Sequence, residues 1–391
     1  MKRGLILLLL LTTTILSGCS LFSSKDNIQP PTPQPVFTPT LRISQLWDVT
    51  VGDGTGSTGI RMRPVVSDGV VYAASPDGTL AAYTLATGAQ ICSTSHHWFG
   101  QRNLRYSGGP AVVGNLLVIG SQNGHVYAYA AKTGKPLWKA PVSSEVITPP
   151  VIVGHKVFVR SNDGHVYALN TTNGKQLWLY DRSDVPLLSL RGNGELLAVG
   201  GAIIFGSDAG KLIAISQKDG SNLWRIPVAA GTGRSDIQKL DDSDGRVVFD
   251  NGVLYVDAYH GNLMAIQAKS GRVLWSRPFS SYTGVAIAGT QVIAVDDHFN
   301  IWAMDQSNGG DLWKQTALQW HWLAAPAIQK GYVVLGGLKG YVYWLNITNG
   351  KFAASEQLSS DPIRSRPVVA GAIVLVEDVR GHLAAYHIAS K

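Results

Sequence analysis

Apolar positions in this chain come in short runs, many alternating with polar ones, and Asn-Gly, Asp-Gly or Thr-Gly pairs separate the runs. A period of two over a few residues marks a strand, and Asn-Gly or Asp-Gly supplies the positive φ of a tight hairpin. Residues 124–138, GHVYAYAAKTGKPLW, show the unit. Gly124 follows a polar turn, His125 to Tyr129 alternate, Gly134 stands ten residues after Gly124, and Trp138 stands four after that. The frame recurs at 164–178, 210–224 and 261–275 with both glycines and the Trp in place. Copies at 78–92, 299–313 and 340–354 are altered: Cys92 takes the Trp position, Phe299 replaces the first Gly, and Ala354 stands where a Trp belongs.

An eighth copy opens at Gly381, and the chain reaches Lys391 before any Trp. Gln45-Leu46-Trp47-Asp48 reads as the missing back half of that copy. Successive copies start 46, 40, 46, 51, 38, 41 and 41 residues apart, the period of a propeller or solenoid. Four apolar runs per unit, such as 110–113, 116–119, 125–130 and 136–142, make a four-stranded antiparallel blade. One blade cannot cover both of its faces, so neighbours must stack face to face and the row must close into a ring. An open row would leave a bare sheet edge. The expected fold is therefore all-β, an eight-bladed β-propeller over residues 41–391. Its ring is closed when the strand around Trp47 pairs with inner strands lying between 364 and 388. The recurring Trp is the apolar anchor expected between adjacent blades.

Residues 1–40 follow another pattern. Lys2 and Arg3 precede a short apolar run at 5–11, too short for a permanent membrane span, and then comes Leu16-Ser17-Gly18-Cys19. This resembles the bacterial lipobox, which implies a signal peptide over 1–18, cleavage before Cys19, and acylation of that cysteine. Several acyl chains on one residue anchor far more firmly than one, since each buried methylene adds about 0.8 kcal/mol. Ser20 after the cysteine implies, in the same resemblance, sorting to the outer membrane. Residues 23–40 are rich in Pro, Ser, Thr and Gln, so 19–40 reads as a lipidated cysteine followed by a disordered tether.

Cys92 is the only other cysteine, which excludes a disulfide framework. The formal net charge of +7 is spread along the chain and predicts no nucleic-acid patch. Candidate chemistry is sparse. His96-His97, beside Trp98, are adjacent and point to opposite sides of an extended chain, a poor chelate. His125, His165 and His382 share one position after the turn Gly and read as a structural slot. His321 sits between Trp320 and Trp322, two rings placed to line a surface or the channel. Residues 231–234, Gly-Thr-Gly-Arg, lack the strand-to-helix context of a phosphate loop. Residues 241–245 open like a calcium loop but have Gly252 where the closing Glu is needed. No catalytic set, no metal site and no cofactor is expected.

The repeat AAKTGKPLW and its copies resemble the pyrroloquinoline-quinone enzyme repeat. Proteins with this repeat include quinone-dependent alcohol dehydrogenases and the BamB family of lipoproteins in the outer-membrane β-barrel assembly machinery. The lipobox, the lack of an adjacent Cys-Cys pair and of a Cys-x-x-Cys-His motif, and the shorter chain make the whole sequence similar to the BamB family. Within it, residues 186–192 (PLLSLRG) resemble the family's SLRG loop, and 235–244 resemble its loop ending in an acidic Asp-x-Asp. The resemblance implies that Leu188, Leu190, Arg191, Asp242 and Asp244 bind the periplasmic (POTRA) domains of BamA. Asp241 and Gly245-Arg246 depart from the family's pattern. Exposed leucines beside an arginine also suit an interface hot spot on physical grounds. The function implied is a non-enzymatic scaffold of the Bam complex that assists unfolded outer-membrane proteins. Two alternatives remain open at this point: a quinone-dependent dehydrogenase-like propeller, and an envelope protein- or glycan-binding propeller using Trp98, Trp320 and Trp322.

Overall fold

The computed structural model describes residues 29–94, 104–181, 194–207, 210–228, 246–281 and 283–389. Eight four-stranded antiparallel sheets follow one another along the chain. We number them as blades 1 to 7, at residues 65–94, 106–141, 151–180, 197–227, 248–278, 286–315 and 327–357. Blade 8 takes strands 368–370, 373–377 and 382–388 from the end of the chain and strand 43–50 from its beginning. Trp47 lies opposite Ala385 in that sheet, the same register in which Trp138 lies opposite Ala128 in blade 2. The ring is thus closed by both ends of the chain, as the split eighth repeat required.

The apolar residues form no single core. They sort into one cluster per blade junction, because alternate residues of each inner strand point to opposite neighbours. Tyr127 and Tyr129 pack towards blade 1, whereas Val126 and Ala128 pack towards blade 3. The same division continues around the ring until Leu375 and Leu383 of blade 8 meet Val71 and Ala81 of blade 1. Strands buried on both faces explain why the middle strand of each repeat reads as nearly continuous apolar sequence.

Six junctions share one device. The Trp of the outermost strand lies flat against the second Gly of the next repeat. A Cβ on Gly174 would sit 2.5 Å from the Trp138 ring, and one on Gly220 would sit 2.8 Å from Trp178. Each of these indoles also donates its N–H to a backbone carbonyl three residues before that Gly. Trp138 Nε1 is 2.7 Å from Thr171 O, and Trp313 Nε1 is 2.8 Å from Ile347 O. Trp47, Trp178, Trp224 and Trp275 bond Leu85, Gln217, Ala268 and Gln306 in the same way. The Gly is needed twice over, for a φ of +68° at Gly174 and for the missing Cβ. A register shift beside each of these Trp residues leaves one extra residue in the outer strand. That residue is turned to solvent: Leu137 is 51% exposed and Leu223 53%.

The altered repeats change this contact. Cys92 holds the Trp register opposite Ala82 and is half-buried against the blade 1–2 cluster, while the Thr94 methyl covers Gly134. In blade 7, Ala354 replaces the Trp, and Trp344, directly opposite it on the neighbouring strand, fills the blade 7–8 junction with Tyr386, Leu41 and Ile43. Thr40 and Leu41 donate their N–H groups to Ala353 O, and Phe37 stacks on Phe352 at 5.2 Å. Thr32 and Gln34 extend the contact: Thr32 Oγ1 donates to Ala317 O, and Tyr343 Oη donates to Gln34 Oε1. Residues 32–40 are therefore not free chain, which corrects the expected tether over that part. Pro-rich sequence makes few backbone bonds to itself, so it settles only where a neighbour offers acceptors and a ring face. Cys19 and the leader lie outside the described residues.

Two predictions follow from the junctions. Trp138→Ala should lower stability by about 3–5 kcal/mol, and Gly174→Ala by about 1–3 kcal/mol, in chemical denaturation. Leu137→Ala should change it little. The second concerns Glu377 of blade 8, buried with one carboxylate oxygen lacking a hydrogen-bond partner among the described residues. Burial, and then the charge of Asp378, push this carboxyl up to about 8. Between its ordinary value of 4.5 and about 8 the folded chain keeps a proton that the unfolded chain has released, so stability falls as pH rises across that window. Glu377→Gln should match the parent near pH 4 and exceed it by roughly 2–4 kcal/mol at pH 8.

Candidate functional site

The strands of a propeller radiate from an axis, so the segments entering each innermost strand converge on one mouth of the central channel. A cavity of about 1130 Å³ opens there. Its walls come from those entering segments and from turns between second and third strands. Four charged residues stand two positions ahead of an innermost strand: Arg63 before blade 1, Glu195 before blade 4, Arg246 before blade 5 and Arg366 before blade 8. The equivalent positions in the other blades are Gly109, Pro149, Gly284 and Ala325. Equivalent positions in a ring lie around the axis, so residues far apart in sequence meet.

Arg63 and Glu195 form a two-pronged pair, with Nη1 on Oε1 and Nη2 2.8 Å from Oε2. Arg246 Nε approaches Glu195 Oε2 at 3.6 Å. Burial alone would push the Glu195 carboxyl up, but Arg63 and its hydrogen bonds, helped by Arg246 and Arg366, hold it down at about 2. Arg366 is pushed the other way: burial, then the like charges of Arg246 and Arg63, bring it down to about 9. Its Nε is buried without a hydrogen-bond partner among the described residues. Arg61, Arg105 and Arg364 line the same cavity, with Glu145 and Asp297 as its other carboxylates.

The remaining wall is aromatic. Tyr259, Phe299, Trp320 and Trp322 line it. His298 meets the Trp320 ring edge-on at 5.0 Å, and Phe299 lies 5.5 Å from Trp322. Trp320 and Trp322 both hold a left-handed backbone, with φ of +62° and +49°, which turns both rings to the channel. His321 between them is buried and points elsewhere, with Nε2 2.7 Å from Thr32 O. The rings, and not the histidine, are thus the channel residues of that motif. His125, His165 and His382 are held locally, by Asn123 O, by Asp163 and Asp181, and by Asp378 respectively.

Asp296, Asp297 and His298 bring three ligand-type atoms within 4.8 Å of one another. Asp296 is already engaged: Oδ1 accepts the N–H groups of His298 and Asn300, and Oδ2 accepts from Asn300 Nδ2 and Trp302 Nε1. The group therefore reads as a braced turn. Leu188, Leu190, Arg191, Asp242 and Asp244 lie outside the described residues, as do His96, His97, Trp98 and residues 231–234 and 241–245. Their flanks are described. Gly194 and Glu195 follow residues 182–193 in sequence and Arg246 follows residues 229–245, and Glu195 and Arg246 meet in the ion pair above.

The family described as outer membrane protein assembly factor BamB matches residues 76–315 and 297–391. The chain belongs to the BamB family. Outer membrane protein assembly factor BamB of Xanthomonas campestris pv. campestris is 38% identical over 386 residues, covering 96% of this chain and 95% of that protein. The BamB of Escherichia coli K12 is 38% identical over 383 residues, covering 96% of each. The crystal structure of BamB from Moraxella catarrhalis superposes with a TM-score of 0.80 at 22% identity, over 89% of this chain and 100% of that one. A quinohemoprotein alcohol dehydrogenase of Comamonas testosteroni gives a TM-score of 0.69 at 12% identity, over 89% of this chain and 77% of that one, a likeness of fold alone. No BamB-type loop residue was needed to see the arginine cluster. A comparison of the eight positions ahead of the innermost strands would have found it in the sequence.

The cluster yields a prediction with a defined sign. Glu195 has a folded value below its ordinary 4.5, so its contribution to stability is present above pH 4.5 and is lost as pH falls through about 2. Glu195→Gln should cost about 3 kcal/mol in denaturation at pH 7, and the difference should shrink steadily below pH 4.

Proposed function

We propose that this chain is a non-enzymatic scaffold of the Bam complex, anchored through acylated Cys19 in the outer membrane and facing the periplasm. It docks on the POTRA domains of BamA through Leu188, Leu190 and Arg191, with Asp242 and Asp244 on the neighbouring loop. It thereby assists the folding and insertion of outer-membrane β-barrel proteins. The relatives bear the name of an outer membrane protein assembly factor, which supports the general role. The observation that carries the docking reading is the Glu195–Arg246 contact at 3.6 Å. It joins the residues that follow the two segments in sequence, which supports the reading that both address one partner.

Rigid blades under such loops suit a binding platform, since ordering costs fall when the scaffold is already fixed. Apolar side chains around a charged anchor supply the affinity, and the acidic residues set orientation and encounter rate. Leu190→Asp combined with Arg191→Ala should abolish copurification with BamA while leaving the thermal unfolding midpoint unchanged. Intact copurification with the double variant would remove these residues from the interface.

A further inference from the structure

We infer that the channel mouth is a binding site for a small organic oxyanion, a carboxylate or a phosphate ester, held by Arg366 and Arg246 against the aromatic wall. The charge balance comes first. Three guanidinium groups from three different blades surround one carboxylate, and that carboxylate is taken by the two-pronged bond from Arg63. A single Arg63–Glu195 pair would satisfy the cluster. Arg246 and Arg366 instead add charge to a confined space, where burial and the neighbouring guanidinium groups lower the proton affinity of both, Arg63 acting on Arg246 and Arg246 with Arg63 on Arg366.

The unmet donors come second. A guanidinium offers five N–H donors in a rigid fork suited to two-oxygen groups. Arg366 Nε is buried and has no hydrogen-bond partner among the described residues. An oxyanion between Arg366 and Arg246 would satisfy those donors and relieve the repulsion in one step. Arg61, Arg105 and Arg364 on the same walls favour entry of an anion into the mouth.

Size and shape come third. About 1130 Å³ holds a small organic molecule with room for water. A bare ion would leave the rings of Phe299, Trp320 and Trp322 uncovered, and a ring or short acyl body would lie on them. Trp322 is 48% exposed, unusual for so large a ring, and it faces this cavity. The two left-handed residues flanking His321 hold both rings in place, a backbone arrangement that side chains seldom adopt without support from their surroundings.

The test is calorimetric titration of the full-length chain in mild detergent with inorganic phosphate, phenyl phosphate and benzoate at constant ionic strength. Phenyl phosphate or benzoate should bind one-to-one, and inorganic phosphate at least tenfold more weakly. Tighter phenyl phosphate would mark phosphate esters as the ligand class, tighter benzoate would mark carboxylates, and either supports the site. Arg366→Gln and, separately, Arg246→Gln should each weaken binding at least tenfold. Trp322→Ala should reduce phenyl phosphate binding to the level of inorganic phosphate, and exposed Arg272→Gln should have no effect. Neutralising Arg366 removes a repulsion, so that variant should unfold at or above the parent's temperature. Absence of saturable binding to the folded parent chain would overturn the proposal. So would parental affinity in both Arg366→Gln and Arg246→Gln, or an equal loss in Arg272→Gln.

Discussion

A tryptophan lying against a glycine across the gap between two sheets is the contact on which the rest of this molecule depends. A four-stranded blade has two apolar faces and no means of covering either alone, so the fold exists only as far as neighbours stack. The indole contributes a large apolar area, and its N–H fixes the ring's azimuth through a carbonyl of the next blade. The glycine lets the ring lie flat at van der Waals distance and turns the chain with a positive φ. Where the Trp is absent, something else must cover the face. Thr94 does so between blades 1 and 2, and Trp344, opposite Ala354, does so between blades 7 and 8.

Closure of the ring has chemical consequences at the axis. Each blade delivers one entering segment to the same mouth, so a charge placed at one repeat position is brought beside charges at the same position of other blades. Arg63 and Glu195 are 132 residues apart and form a two-pronged ion pair there. The same convergence brings Glu195 to Arg246, the residues that follow in sequence the two segments carrying the proposed docking residues. A rigid ring therefore acts as a collector: it takes isolated loop residues and makes an electrostatic site from them. The cost of burying like charges there is tolerated because the surrounding sheets cannot move apart without breaking the blade junctions.

Much of this was legible in the chain. The Gly–Gly–Trp frame recurs because every junction imposes the same steric demand, and that recurrence alone specifies blade number, strand count and the pairing of Trp47 with the last strand. The histidines after the turn Gly were also readable as a slot. Residues 32–40 were not, since a Pro-rich stretch carries no period that tells whether a neighbour will hold it. The arginine cluster is legible only once the eight positions ahead of the innermost strands are aligned, because its members are far apart in sequence and lie outside the Gly–Gly–Trp frame.

What the sequence determined by itself was local and repetitive: period, turns, strands and the identity of the junction residue, all set by contacts that each unit makes in the same way. Only the tertiary structure decided which solitary residues share the axis and which face Trp320 and Trp322 present. It also decided what shields blade 7, where the Trp is missing. Those outcomes depend on the angle through which every blade turns the chain, and that angle is a property of the closed ring, not of any one segment.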